Sequence, residues 1–210
     1  MMILVTGGSG SGKSAFAEDQ VVSFGEAERV YIATMFPSGD AWSKFCSAQI
    51  INILPYARKD TMFPFDEESK KRVQRHRNMR SGKGFETIEC YTDLAQVRVS
   101  KGSTVLLECM SNLVANEMFQ ENGAHERTVQ EILKGVKSLL AQAGNLVIVT
   151  NEIFSEAASY EGETETYQKY LGKINQELAH LADEVVEVVY GIPVYHKKSK
   201  GGTSHEKSVE

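Results

Sequence analysis

Short runs of β-branched and aliphatic residues recur along the chain, separated by longer stretches whose apolar positions return every three or four residues. Ile3-Leu4-Val5, Val30-Tyr31-Ile32, Thr104-Val105-Leu106-Leu107, Leu146-Val147-Ile148-Val149 and Val185–Val189 read as strands. Most are continuously apolar rather than alternating, as expected of parallel strands covered on both faces. Val129, Ile132, Leu133, Val136, Leu139 and Leu140 follow helical spacing, and Gly144 stands where a glycine would end that helix. Tyr167, Tyr170, Leu171, Ile174, Leu178 and Leu181 repeat the pattern. The alternation predicts an α/β sandwich whose parallel strands are joined by right-handed crossovers.

Two regions break the rhythm. Phe36 to about Phe63 carries two prolines, a Gly-Asp pair, the only tryptophan and the apolar stretch Ile50–Leu54, and reads as an insertion or flap. Lys197–Glu210 is polar and rich in Gly, Ser and Lys, the composition of a disordered tail. The rest, residues 1–196, is expected to be a single domain, which 210 residues accommodate.

Composition narrows the setting. A net charge of −5 leaves any nucleic-acid contact to a local basic patch. Cys46, Cys90 and Cys109 are odd in number and form neither a CxxC nor a zinc pattern, so buried thiols in a reducing compartment are expected. No basic region precedes an apolar leader, and no apolar run reaches the roughly 20 residues of a membrane span. Cytoplasm is the expected location.

The strongest chemical signal is Gly7-Gly8-Ser9-Gly10-Ser11-Gly12-Lys13-Ser14, a full GxxxxGK[ST] motif behind the strand Met2–Thr6 and ahead of an amphipathic segment. Glycines let the backbone curl so that successive N–H groups face phosphate oxygens, and the following helix adds its positive end. Lys13 is expected to reach the β- and γ-phosphates of GTP or ATP and Ser14 to ligate Mg²⁺. A second acidic contact for the ion is expected from Glu108, which ends the apolar run Leu106-Leu107; a solvated strand-end carboxylate is the alternative.

Asp66–Arg80, DEESKKRVQRHRNMR, reads as a helix with acids first and bases last, as the helix dipole favours. Arg72, Arg75, Arg77 and Arg80 surround His76. A solvated amphipathic helix and a nucleic-acid patch are two readings of that cluster. A third is chemical: a neutral imidazole attacks the α-phosphate of a nucleoside triphosphate while arginines hold the oxygens. His125, His180, His196 and His205 are expected to be structural or solvated.

These residues resemble the bifunctional adenosylcobinamide kinase/adenosylcobinamide-phosphate guanylyltransferase family of cobalamin biosynthesis. The likeness runs through MMILVTGGSGSGKSAFAE, VYIAT (30–34), FDEESKKRVQRHRNMR, FETIEC (85–90), TVLLECMSNLVANEMF (104–119), LVIVTNEI (146–153) and GKINQELAHLADEVVEVVYGIPV (172–194). The resemblance implies a RecA-like P-loop NTPase fold, a three-layer α/β sandwich around a mostly parallel sheet. It implies phosphorylation of adenosylcobinamide and transfer of GMP through a guanylylated His76. It carries nucleotide contacts over to Ala33, Thr34 and Met35, to Arg77, Asn78, Met79 and Arg80, to Glu89 and to Glu108. A corrinoid substrate, Mg²⁺, GTP and ATP follow, with a homo-oligomer, a trimer by analogy, and no nucleic-acid partner. The chain departs from the family pattern at Phe36–Phe63, at Ile153–Tyr160 and at Gln168-Lys169. A kinase-only relative and a nucleotide-binding regulatory or nucleic-acid-associated module stand as alternatives.

Overall fold

The computed structural model describes residues 1–35, 74, 78, 80–154 and 162–198. Among them are seven strands: β1 (Met2–Thr6), β2 (Arg29–Ala33), β3 (Phe85–Glu89), β4 (Thr104–Glu108), β5 (Asn145–Val149), β6 (Glu184–Val189) and β7 (Ile192–Lys197). Four longer helices accompany them: α1 (Lys13–Ser23), α2 (Met110–Phe119), α3 (Thr128–Gln142) and α4 (Glu163–Leu181). The strands form one sheet in the order β3-β2-β4-β5-β1-β6-β7, parallel except for β7, which runs antiparallel to β6.

The unbroken apolar runs have a direct cause. Ile3, Val5, Tyr31, Leu106, Val147, Val149, Val186 and Val188 point to one face, where Ala17 and Val21 of α1 meet them. The intervening Met2, Leu4, Val30, Ile32, Val105, Leu107, Leu146 and Ile148 point to the other. There they meet Leu113 and Val114 of α2, Ile132, Val136 and Leu139 of α3, and Leu171, Ile174 and Leu178 of α4. Each fully buried aliphatic side chain contributes about 1.5–3 kcal/mol, so two covered faces select strands without alternation. The result is the expected α/β sandwich with a mostly parallel sheet.

Several elements depart from expectation. β3 reads Phe-Glu-Thr-Ile-Glu and lies at the sheet edge, half exposed, so it carries no continuous apolar run. In α2, Met110, Ser111, Leu113, Val114, Ala115, Asn116 and Glu117 are all buried, leaving no polar face to mark a helical period. Gly144 is not a left-handed stop for α3. Ala143 closes the helix in extended conformation, and Gly144 instead allows close approach to Gly102, whose carbonyl would lie 2.8 Å from an added Cβ.

The expected tail begins too early. Lys197 belongs to β7, and its Nζ donates to the carbonyls of Ala179, His180 and Ala182 at the end of α4. A lysine among helix-end carbonyls satisfies groups the helix cannot, and the dipole favours its charge there. His196, expected to be structural or solvated, pairs across the hairpin with Glu187 at 2.9 Å. The stretch Phe36–Phe63 and residues beyond Lys198 lie outside the described residues.

Parallel pairing aligns the strand ends. Ala33 is in register with both Glu89 and Glu108, Glu108 with Val149, and Val149 with Val5. The sequence-predicted residues Ala33, Glu89 and Glu108 therefore share one edge of the sheet with the end of β1. Ligands of open α/β sheets bind outside this carboxyl edge.

Candidate functional site

The segment Gly7–Ser14 leaves β1 at that edge and turns into α1. Ser11 N–H donates to Gly8 O at 3.2 Å, and Phe16 N–H to Gly12 O at 3.1 Å. Gly12, at φ +93, takes the left-handed conformation at the mouth of α1 that an L side chain resists. Gly7 is required for a different reason: a Cβ there would lie 2.6 Å from Val188 O and 2.7 Å from Ser11 Oγ. The loop is braced from two sides by backbone groups of distant segments. Glu152 N–H donates to Gly7 O at 3.1 Å, and Gly191 N–H to Ser11 O at 2.8 Å.

Lys13 is 8% exposed, and its Nζ donates to Gly8 O at 2.9 Å, folding the ammonium back over the loop. Ser14 Oγ donates to Glu108 Oε1 at 2.6 Å, which joins the phosphate loop to the end of β4. Glu108 is also 8% exposed, and its second oxygen, Oε2, is buried without a hydrogen-bond partner among the described residues. Burial pushes its carboxyl up to about 7; the Ser14 hydrogen bond and the Lys13 charge act against that rise. A hard oxygen left unsatisfied beside a serine hydroxyl fits a small divalent cation such as Mg²⁺, which takes one or two protein oxygens and keeps its waters. Among the described residues no group of three or more His, Cys, Asp or Glu side chains forms a closed metal cage.

Neighbouring strand ends complete the edge. Thr34 is fully buried, its Oγ1 accepting from Cys109 N–H at 2.7 Å and donating to Cys109 O at 2.8 Å. Asn116 Nδ2 donates to Thr34 O at 2.8 Å. Thr34 thus ties β2 to the residue after Glu108, with its hydroxyl already engaged. Glu89 accepts from Tyr91 OH at 2.7 Å on the exposed end of β3. Ala33 and Met35 flank Thr34 and are half-buried.

Of the arginine-rich segment, Gln74, Asn78 and Arg80 are described, and all three are helical. Gln74 Nε2 donates to Asn78 Oδ1 at 2.8 Å. The Arg80 guanidinium lies 3.5 Å from the centroid of the Tyr31 ring, on the α1 face of the sheet. Its charge there is among those lowering the Glu108 carboxyl, so Arg80 faces the phosphate-loop side. His76, Arg77 and Met79 lie outside the described residues. Cys90 and Cys109 are free and buried, and burial pushes the Cys90 thiol up to about 12, an inert setting. Cys46 lies outside the described residues.

Sequence reasoning did not find the two loop braces, Glu152 and Gly191. Both act through backbone N–H groups, which every non-proline residue carries, so no residue type announces them. It also missed Lys83, whose Nζ lies 2.9 Å from Glu18 Oε2 and 3.0 Å from Asp19 Oδ1, fastening α1 to the turn before β3.

The family described as cobinamide kinase / cobinamide phosphate guanyltransferase matches residues 57–195. The bifunctional adenosylcobalamin biosynthesis protein CobU of Escherichia coli (strain K12) is 30% identical over 209 residues, covering 92% of this chain and 98% of that protein. The protein of the same name from Salmonella typhimurium (strain LT2) matches with the same identity and coverage. Among solved structures, an ATPase domain superposes with a TM-score of 0.50 at 12% identity, over 96% of this chain and 78% of that one. That likeness concerns the fold alone and agrees with a RecA-like P-loop NTPase architecture. No helix among the described residues is long and apolar enough to cross a membrane.

Proposed function

The chain belongs to the cobinamide kinase / cobinamide phosphate guanyltransferase family, and on that premise we propose that it phosphorylates adenosylcobinamide and then guanylylates the product through His76, giving adenosylcobinamide-GDP. In the first reaction the aminopropanol hydroxyl oxygen attacks the γ-phosphorus of ATP or GTP, and the bond to the nucleoside diphosphate breaks. In the second, a neutral imidazole nitrogen of His76 attacks the α-phosphorus of GTP, and pyrophosphate leaves with the electrons of the broken P–O bond. A phosphate oxygen of the substrate then attacks the same phosphorus, and the P–N bond to His76 breaks.

Each residue has a part in this scheme. The amides of Gly7–Ser14 hold the phosphates, and Lys13 balances their charge. Arg77 and Arg80 steady the oxygens around phosphorus, with Ala33, Thr34, Met35, Asn78, Met79 and Glu89 as further nucleotide contacts. Ser14 and Glu108 are the residues that would hold Mg²⁺, which when bound neutralises phosphate charge. The observation that carries the reading is the phosphate loop closed against Glu108, whose Oε2 is buried and, among the described residues, unpaired. A cytoplasmic homo-oligomer, a trimer by analogy with the family, belongs to the same proposal.

Incubation with [α-³²P]GTP tests the chemistry. The expected result is a covalent label, lost in acid and stable in alkali, that His76→Ala abolishes. Equal labelling of His76→Ala and wild type overturns the histidine intermediate. Accumulation of adenosylcobinamide phosphate with GTP in excess, and no GDP-linked product, would reduce the function to the kinase step.

A further inference from the structure

Three residues follow β5 at the carboxyl edge, and each is tied to a different element. Thr150 is buried, and its Oγ1 donates to Asn175 Oδ1 of α4 at 2.8 Å. Glu152 N–H holds Gly7 O at 3.1 Å. Between them, Asn151 N–H donates to Ser111 Oγ of α2 at 3.2 Å. Side chains along an extended stretch alternate between faces. Val149 packs toward α1 and Thr150 reaches toward α4, so Asn151 returns to the α1 face. Its Nδ2 lies 3.9 Å from Cys109 Sγ, which packs on that face too.

Sheet order puts this amide inside the phosphate site. β5 stands between β4 and β1. The bond from Ser14 Oγ to Glu108 Oε1 joins the end of β4 to the start of α1, and so spans the end of β5. Asn151 comes two residues after Val149, which is in register with both Glu108 and Val5. Ala33, Thr34, Met35, Arg80 and Glu89 lie on the other side of Glu108, along β2 and β3. A nucleoside directed toward that group leaves the terminal phosphate at the loop, beside Lys13 and next to Asn151. The amide is also poorly committed: a thiol is a weak acceptor, and among the described residues the side chain has no stronger partner.

We infer that Asn151 is a catalytic residue of the phosphoryl transfer, its Nδ2–H donating to a non-bridging oxygen of the γ-phosphoryl group as that group moves to the acceptor hydroxyl. The inference rests on the kinase step proposed above and assigns that step a residue of its own. The hydroxyl oxygen bonds to the γ-phosphorus and its proton passes to water. The bond to the β-phosphate oxygen breaks, and its electrons leave with the nucleoside diphosphate. Asn151 neither gains nor loses a proton; a fixed donor favours the charge spread over the γ-oxygens in the transition state. Attack by His76 makes and breaks bonds at the α-phosphorus, the other end of the triphosphate, and does not draw on this contact.

Steady-state kinetics of the full chain with Mg²⁺, ATP and adenosylcobinamide tests the assignment. Asn151→Ala is expected to lower kcat for phosphorylation about 100-fold. Its labelling by saturating [α-³²P]GTP, its ADP affinity by calorimetry and its melting temperature are expected to match wild type. Asn151→Asp keeps the size of the side chain and loses the donor, so the same loss of kcat is expected should Asn151→Ala prove unstable. An unchanged kcat in these variants overturns the proposal. An equal loss of phosphorylation, labelling and ADP affinity overturns it too, since Asn151 would then only support the loop. A wild-type chain that phosphorylates no adenosylcobinamide overturns it together with the kinase step on which it rests.

Discussion

Burial lifts the Glu108 carboxyl to about 7 from an ordinary 4.5, against the pull of the Ser14 hydroxyl and the Lys13 ammonium. Its folded value lies above its unfolded one, so between the two the folded protein holds the proton more tightly. Stability of the ligand-free chain therefore falls as pH rises through that window. Cation binding runs the opposite way, because a divalent ion needs the ionised carboxylate. The Mg²⁺-dependent part of GTP affinity should then drop about tenfold per pH unit below neutrality. Glu108→Gln should flatten that dependence. Calorimetry across the neutral range measures both, and a pH-independent wild type removes Glu108 from the metal site. Thr34 is a different kind of site residue. Its hydroxyl is spent on both backbone groups of Cys109, so it positions the end of β4 more than it offers a free donor.

Glu18 on α1 is fully buried, and the ammonium of Lys83 is its charged partner at 2.9 Å. Arg29 holds the Lys83 carbonyl at 2.8 Å, so the pair joins α1, β2 and the turn into β3. Removing one partner of a buried pair leaves an uncompensated charge, and Lys83→Met should cost about 3 kcal/mol in denaturant unfolding at neutral pH. A loss within error would mean that Glu18 takes up a proton or finds water instead. Elements of this kind divide cleanly by legibility. β1, β4 and β5 could be read because covering both faces leaves only apolar residues, and α3 and α4 because one face stays wet. β3 and β7 could not, since edge strands need no apolar run, and α2 could not, since burial on most sides erases its period. The phosphate loop was legible through its glycines and Lys13, whereas its braces and the Lys83 tie depend on where the chain returns in space.

Across the whole sheet, protection follows position. β1, β4 and β5 are flanked by strands on both edges and by helices on both faces, whereas every residue of β7 is exposed. Amide hydrogen exchange should be slowest in β1, β4 and β5 and fastest in β7. β7 amides as slow as those of β5 would show that another surface covers this edge. The same arrangement places function on the carboxyl edge. The Glu26, Glu28, Arg29 and Glu86 groove lies at the amino ends of β2 and β3, away from the phosphate loop.

The two braces on Gly7 and Ser11 also bear on the order in which the protein matures on the ribosome. The phosphate loop leaves the exit tunnel well ahead of its supports, which come from Glu152 and Gly191. β1 likewise waits for both of its partners, β5 and β6. A growing polypeptide therefore carries its signature motif long before that motif can grip anything, and ligand cannot guide folding until the hairpin that follows α4 has been made.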